Sequence, residues 1–229
     1  MASAPLEAAK MAAAARAVEL VEDGMSLGIG TGSTAAYFIT LLGERVRDGL
    51  SVIGVPTSSR AEALARAAGI PLTDLRNCPQ PDLDVDGADE IDPALNLLKG
   101  GGGALLHEKM VALATARFVV IADQTKLVDR LGGYPIAVEI VLFGWTSTMD
   151  RIVRLGAAAS LRGGDANPFI TDSGNLILDV RAPVDADIFA FGREMKSLTG
   201  VVEYGLFEGL ASQVVVGHLD GTVREMERK

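Results

Sequence analysis

Five acids fall within the nine residues DVDGADEID, Asp84 to Asp92, and seven positions later Lys99 opens a run of four glycines, with Glu108 beyond it. Carboxylates this dense repel one another unless a cation sits among them or they exchange protons. The spacing Asp82-x-Asp84-x-Asp86-Gly87 copies the opening of a calcium loop, but its twelfth position, where a bidentate glutamate belongs, is Pro93. Magnesium held by Asp86 and Asp89 stays open, since that ion needs few protein ligands. The other chemistry is proton transfer beside a carbonyl. One carboxylate would take a carbon-bound proton, while a lysine and glycine-loop N–H groups stabilise the oxyanion that develops. Asp86, Asp89, Lys99 and Glu108 are the candidates. Asp92 reads as the cap of a short helix, PALNLL, with Pro93 at its first position; Glu90 and Asp82 read as solvated turn residues.

A second glycine cluster, GIGTGSTA, runs from Gly28 to Ala35. It matches the dinucleotide fingerprint in form, but the next strand ends in VPTSSR, hydroxyls where a ribose-binding acid is wanted. No Gly-Lys-Ser/Thr follows, so it is not a Walker loop. What is left is Thr31, Ser33 and Thr34 at a helix N-terminus, where free N–H groups and the helix dipole favour an anion. A sugar phosphate fits better than a dinucleotide.

These loops need elements to hold them. A helix is predicted from about Pro5 to Val21, then MSLGIGTGS (a short strand running into the glycine turn), LSVIGVPTS, LDVDGAD (a strand ending in acids) and RFVVIAD alternate with the helices TAAYFITLLGERV, SRAEALARAAG with Ser58 or Ser59 as cap, and ALLHEKMVALATA after the four glycines. Short apolar strands alternating with helices imply a parallel, doubly wound sheet, and Asp86 and Asp89 then lie where such sheets bind ligands. Beyond Gly132 the order becomes strand (YPIAVEIV), helix (TSTMDRIVRLGA), two strands around an Asp-Ser-Gly-Asn turn (PFITDSGNLILDV), helix, strand: a ferredoxin-like β-α-β-β-α-β unit. The last segment, ASQVVVGHLDGTVREM, is expected to return two strands to the first sheet. The expected fold is therefore α/β, a doubly wound, mostly parallel Rossmann-like catalytic domain (1–131 plus 207–229) with an inserted smaller ferredoxin-like α+β domain (132–206).

Composition narrows the function classes. A net charge of −9 disfavours nucleic acid, whose phosphates need a basic face. No segment approaches the ~20 apolar residues of a membrane span, and the alanine-rich start carries Glu7, Lys10, Arg16 and Glu19, unlike a leader. The single cysteine, Cys78, can form no internal disulfide. A soluble, cytoplasmic protein is expected.

The segments GIGTGSTAAYFI, VPTSSRAEALARAAGIPL, DVDGADEID, KGGGGALLHEKMVA, FVVIADQTKLVDRLG, FITDSGNLILDV and GVVEYGLF together resemble the type A ribose-5-phosphate isomerase family, in order and over essentially the whole chain. The resemblance implies an aldose–ketose isomerase for ribose 5-phosphate and ribulose 5-phosphate, with no metal and no cofactor, in homodimers or homotetramers. It implies that Glu108 is the general base, and that Asp86 and Asp89 contact the sugar and serve ring opening. Lys99 falls beside the glycine loop, and further substrate contacts fall at Thr31, Gly32, Ser33, Thr34, Gly87, Ala88, Gly100, Gly101 and Gly102. Lys10 and Lys126 fall near the phosphate. His107, where arginine is common, is expected to face solvent. The rival readings are a sugar-phosphate-sensing regulatory module and another sugar-phosphate enzyme on the same scaffold.

Overall fold

A computed structural model describes residues 4–228 of the chain, so residues 1–3 and 229 of the expected larger unit lie outside it. In chain order, helix α1 (Ala4–Val18) leads to strand β1 (Ser26–Ile29), α2 (Ser33–Arg47), β2 (Ile53–Pro56), α3 (Ser59–Ala67) and β3 (Leu83–Asp86). The short strands β4 (Glu90–Ile91) and β5 (Leu97–Leu98) follow, then α4 (Leu105–Ala114) and β6 (Arg117–Asp123). Next come β7 (Ile136–Ile140), α5 (Trp145–Val153), β8 (Ala158–Leu161), β9 (Leu176–Arg181), α6 (Ile188–Lys196) and β10 (Val201–Tyr204). The chain closes with β11 (Leu206–Phe207), β12 (Gln213–Gly217) and β13 (Val223–Glu227).

The main sheet has the order β13-β12-β6-β3-β1-β2 and is parallel except for β13, which pairs antiparallel with β12. From β1 the chain crosses to β2 on one side and then to β3 on the other. This reversal leaves a crevice at the carboxyl ends of β1 and β3, where the Gly30 turn and the Asp86 loop begin. Strand alternation sorts the two faces. Leu27, Ile29, Leu83, Val85, Val119 and Ile121 share one core with residues of α1, α2 and α3. Phe118, Val120 and Ala122 share another with Ala112 of α4. On β3, Asp84 and Asp86 alternate with Leu83 and Val85, and so point to the α4 side.

The smaller sheet, β10-β7-β9-β8, is antiparallel throughout. With α5 and α6 as crossovers it has the ferredoxin-like order. A third sheet, β11-β5-β4, bridges the two parts: β11 follows the small sheet directly and pairs with β5.

Two local expectations differ. PALNLL is no helix. Asp92 Oδ1 accepts from Ala94 N and Asn96 N, Leu95 takes a positive φ of 59°, and Leu97–Leu98 returns as a strand. Pairing with β11, distant in sequence, overrides the local helix signal. The strand that precedes β9 and pairs with it is Ala158–Leu161; Ile170, within the expected strand, forms only an isolated bridge to Leu176.

Candidate active site

The crevice is floored by close packing of β1 on β3. A Cβ on Gly30 would lie 2.3 Å from Asp86 Oδ1 and 2.4 Å from Asp86 Cα, so only glycine fits there. Past it, Thr31 N donates to Asp86 Oδ1 at 2.9 Å, and the Thr31 hydroxyl meets those of Thr57 and Ser58 at 2.8 and 2.7 Å. Ser58 also accepts from Ala61 N as the cap of α3. Gly32, with φ 124°, starts α2 without any side-chain cap. The N–H groups of Ser33 and Thr34 are thus unused at the positive end of the helix, an arrangement suited to phosphate.

Opposite this turn, a cavity of about 110 Å³ is lined by Thr31, Gly32, Ser33, Thr34, Gly87, Ala88, Asp89, Lys99, Gly100, Gly101, Gly102, Glu108 and Lys126. Residues 75 positions apart and more in the chain therefore share one small space. Lys126 also stands over the Tyr134 ring, 5.5 Å from its centre.

The buried side of the cavity is ionic. Lys99, 3% exposed, donates to the Gly87 carbonyl, and its Nζ lies 3.0 Å from Asp86 Oδ2 and 3.5 Å from Glu108 Oε2. Burial alone would depress the Lys99 ammonium, but Asp86 and Glu108 outweigh it and hold it above its ordinary value. Burial lifts Glu108 from 4.5 to about 8, with Lys99 pulling the other way and Asp86 and Asp89 adding to the rise. A carboxylate with proton affinity near neutrality, 5% exposed and on a cavity wall, has the properties of a general base.

The two loop acids differ in position. Asp86 is fully buried, accepts from Thr31 N and Gly87 N, and does not line the cavity. Asp89 lines it and accepts from Gly101 N at 2.8 Å. Asp86 Oδ1 takes both N–H donors and its Oδ2 lies 3.0 Å from Lys99 Nζ, and among the described residues no group of three His, Cys, Asp or Glu is disposed to hold a metal ion. Lys10 is not on the cavity wall; its ammonium pairs with Glu7 at 3.0 Å, and Glu7 also accepts from Tyr37. His107, expected to face solvent, is half-buried, its Nε2 meeting Ser173 Oγ at 2.9 Å. Glu90 is not a solvated turn residue either: it is buried and accepts from Gly132 N and Tyr134 N.

Two further residues border the site. Arg162, beyond β8, donates to the Gly100 carbonyl at 2.7 Å while paired with Asp179, so the small sheet grips the glycine loop. No local signal marks it. Asp84 is fully buried beside the ionic cluster; its signal was available, since alternation on a strand puts it on the face of Asp86.

Residues 53–221 match the family described as Ribose 5-phosphate isomerase A (phosphoriboisomerase A). The chain belongs to this family. Ribose-5-phosphate isomerase A of Nitrobacter hamburgensis is 50% identical over 98% of this chain and 99% of its own, and that of Rhodopseudomonas palustris is 50% identical over 96% and 97%. Among solved structures, the ribose 5-phosphate isomerase A of Methanocaldococcus jannaschii superposes with a TM-score of 0.89 at 42% identity, covering 95% of this chain and 97% of that one. A D-ribose-5-phosphate isomerase in complex with phospho-erythronic acid superposes with a TM-score of 0.90 at 41% identity, covering 96% and 97%. The doubly wound domain with its ferredoxin-like insertion is thus the family's fold.

Proposed function

We propose that this chain interconverts ribose 5-phosphate and ribulose 5-phosphate, with Glu108 carrying a proton between C2 and C1. Membership in the isomerase family supports the reaction. The observation that carries the mechanism is Glu108 itself, buried on the cavity wall with a proton affinity near neutrality and an ammonium 3.5 Å away. The phosphate sits at the start of α2, on the N–H groups of Ser33 and Thr34, with Lys126 across from it. Asp89, on the wall, opens the sugar ring by moving a proton. Asp86, behind it, fixes the Thr31 turn and Lys99. Glu108 then takes the C2 proton, Lys99 stabilises the enediolate oxygen, the hydroxyl proton passes from O2 to O1, and Glu108 returns its proton to C1. A relative's complex with phospho-erythronic acid, a phosphate and a carboxylate on one short chain, supports a site with poles for both charges.

Ketose formation from ribose 5-phosphate by the purified protein, with and without a chelator, tests this reading. Turnover indifferent to chelation is expected. Loss of turnover on chelation would restore magnesium at Asp86 and Asp89, and absence of turnover with binding retained would favour the sensing module. We also read residues 132–206 as a small domain inserted into the catalytic one, and the protein as cytoplasmic, consistent with its lone free cysteine. Leu142 and Phe143, 57% and 93% exposed, support self-association as a dimer or tetramer, testable by analytical ultracentrifugation.

A further inference from the structure

Among the described residues, four buried side-chain oxygens accept no hydrogen bond, and all four belong to one cluster: both of Asp84, Oδ2 of Asp86 and Oε2 of Glu108. Asp86 Oδ2 and Glu108 Oε2 meet the Lys99 ammonium at 3.0 and 3.5 Å, close enough for attraction though off the line of a hydrogen bond. The two oxygens of Asp84 meet no donor. Asp84 is 0% exposed. A Cβ at Gly28 on β1 would lie 2.4 Å from its Oδ1 and 2.7 Å from Val111, one turn beyond Glu108 on α4. Its own strand contributes Asp86, the segment after β5 contributes Lys99, and α4 contributes Glu108. The flanking strands β1 and β6 place only Gly28 and Phe118 in register with it.

Three carboxylates therefore share one ammonium away from water. With all three ionised the cluster would carry two uncompensated negative charges, which a desolvated site does not hold. At least one proton must stay. Asp86 is stabilised as an anion by two N–H donors and Lys99, and Glu108 by Lys99. Asp84 has neither. We propose that Asp84 keeps a proton in this cluster, so that Glu108, and not Asp84, is the carboxyl that ionises to meet the substrate. Asp84 is a positioning residue: it sets where the proton resides and touches no reacting atom. Burial first, then the charge of Asp86 and more weakly that of Glu108, hold its carboxyl well above the usual range against the pull of Lys99, in the same direction as the geometry. At alkaline pH Asp84 ionises at last. A second negative charge then stands behind the developing enediolate and competes for Lys99, so turnover falls.

This rests on Glu108 as the base, and two measurements separate the ideas. In wild-type protein carrying 13C-carboxyl aspartate, infrared spectra at neutral pH should show one protonated aspartic carboxyl, absent in Asp84→Asn. No such band in the wild type overturns the proposal, and this needs no variant to fold. The second is turnover against pH. An alkaline limb of about tenfold is expected in the wild type and should be lost in Asp84→Asn, whose amide cannot ionise. An unmoved limb refutes the catalytic consequence, and is also what a merely structural Asp84 would give. If Glu108→Gln retained turnover while the infrared band stood, the base assignment would fail and the proton on Asp84 would not.

Discussion

Glu108 should impose an acid limb on kcat/KM far above the ordinary carboxylate range. The parameter reports the free enzyme, whose Glu108 titrates at about 8. Only the ionised form is a base, so about one molecule in ten is competent at pH 7, and kcat/KM should rise about tenfold per pH unit below the midpoint. Initial rates of ketose formation across pH 5 to 9 at constant ionic strength read this directly. The second ionisation of the sugar phosphate, near pH ~6 as for phosphomonoesters generally, is separable from a limb two units higher. Stability carries the opposite sign. A carboxyl whose folded value is raised lends stability that is complete below its unfolded value and is lost as pH rises through the folded one. From 4.5 to about 8 this amounts to about 5 kcal/mol, lost across that window. Glu108→Gln should therefore gain thermal stability over the wild type as pH rises from 5 to 9, while losing turnover. A kcat/KM that is flat from pH 6 to 8, or a limb near 4.5, would refute the argument that burial tunes this base.

Lys99→Met should lower kcat by about 10²–10³, as loss of an oxyanion donor does, and move the acid limb to higher pH because Glu108 loses its neighbouring cation. It should also lose about 3–5 kcal/mol in denaturant unfolding, having left buried carboxylates unpaired. Gly30→Ala pushes a methyl into Asp86 and should lose about 1–3 kcal/mol of stability, readable as a lowered urea midpoint with unchanged slope. Asp89→Asn should lower kcat by about 10²–10⁴ if it moves the ring-opening proton; full activity would pass that role to another group. Arg162→Ala frees the glycine loop and should lower kcat more than it raises KM, measured by steady-state kinetics.

The parts of the site legible in the sequence are those whose chemistry is local. Thr31 to Thr34 follow a glycine turn that can only open a helix, and Asp89, Lys99 and Glu108 sit in motifs whose composition has no cheaper structural explanation. Position within the site was less legible. Asp86 and Asp89 look equivalent three residues apart, yet strand pairing buries one against Gly30 and turns the other to the cavity. Lys10 reads as a free cation until Glu7, three residues earlier on the same helix turn, takes it. Long-range pairing hid the rest: the end of PALNLL, Leu97–Leu98, became a strand because β11, more than a hundred residues on, completes its sheet, and Arg162 reaches Gly100 from across the small sheet. Strand alternation places Asp84 on the face of Asp86, but nothing in DVDGADEID says which acid lacks a donor.

The central claim is that Glu108 moves the proton. The most direct measurement places Glu108→Gln with ribose 5-phosphate in deuterated water and follows C2 exchange and ketose formation by NMR, with thermal protection by the sugar phosphate as the binding control. Binding with neither exchange nor ketose is the predicted result. Ketose formed within about tenfold of the wild-type rate, a loss too small for removal of a general base, would contradict it.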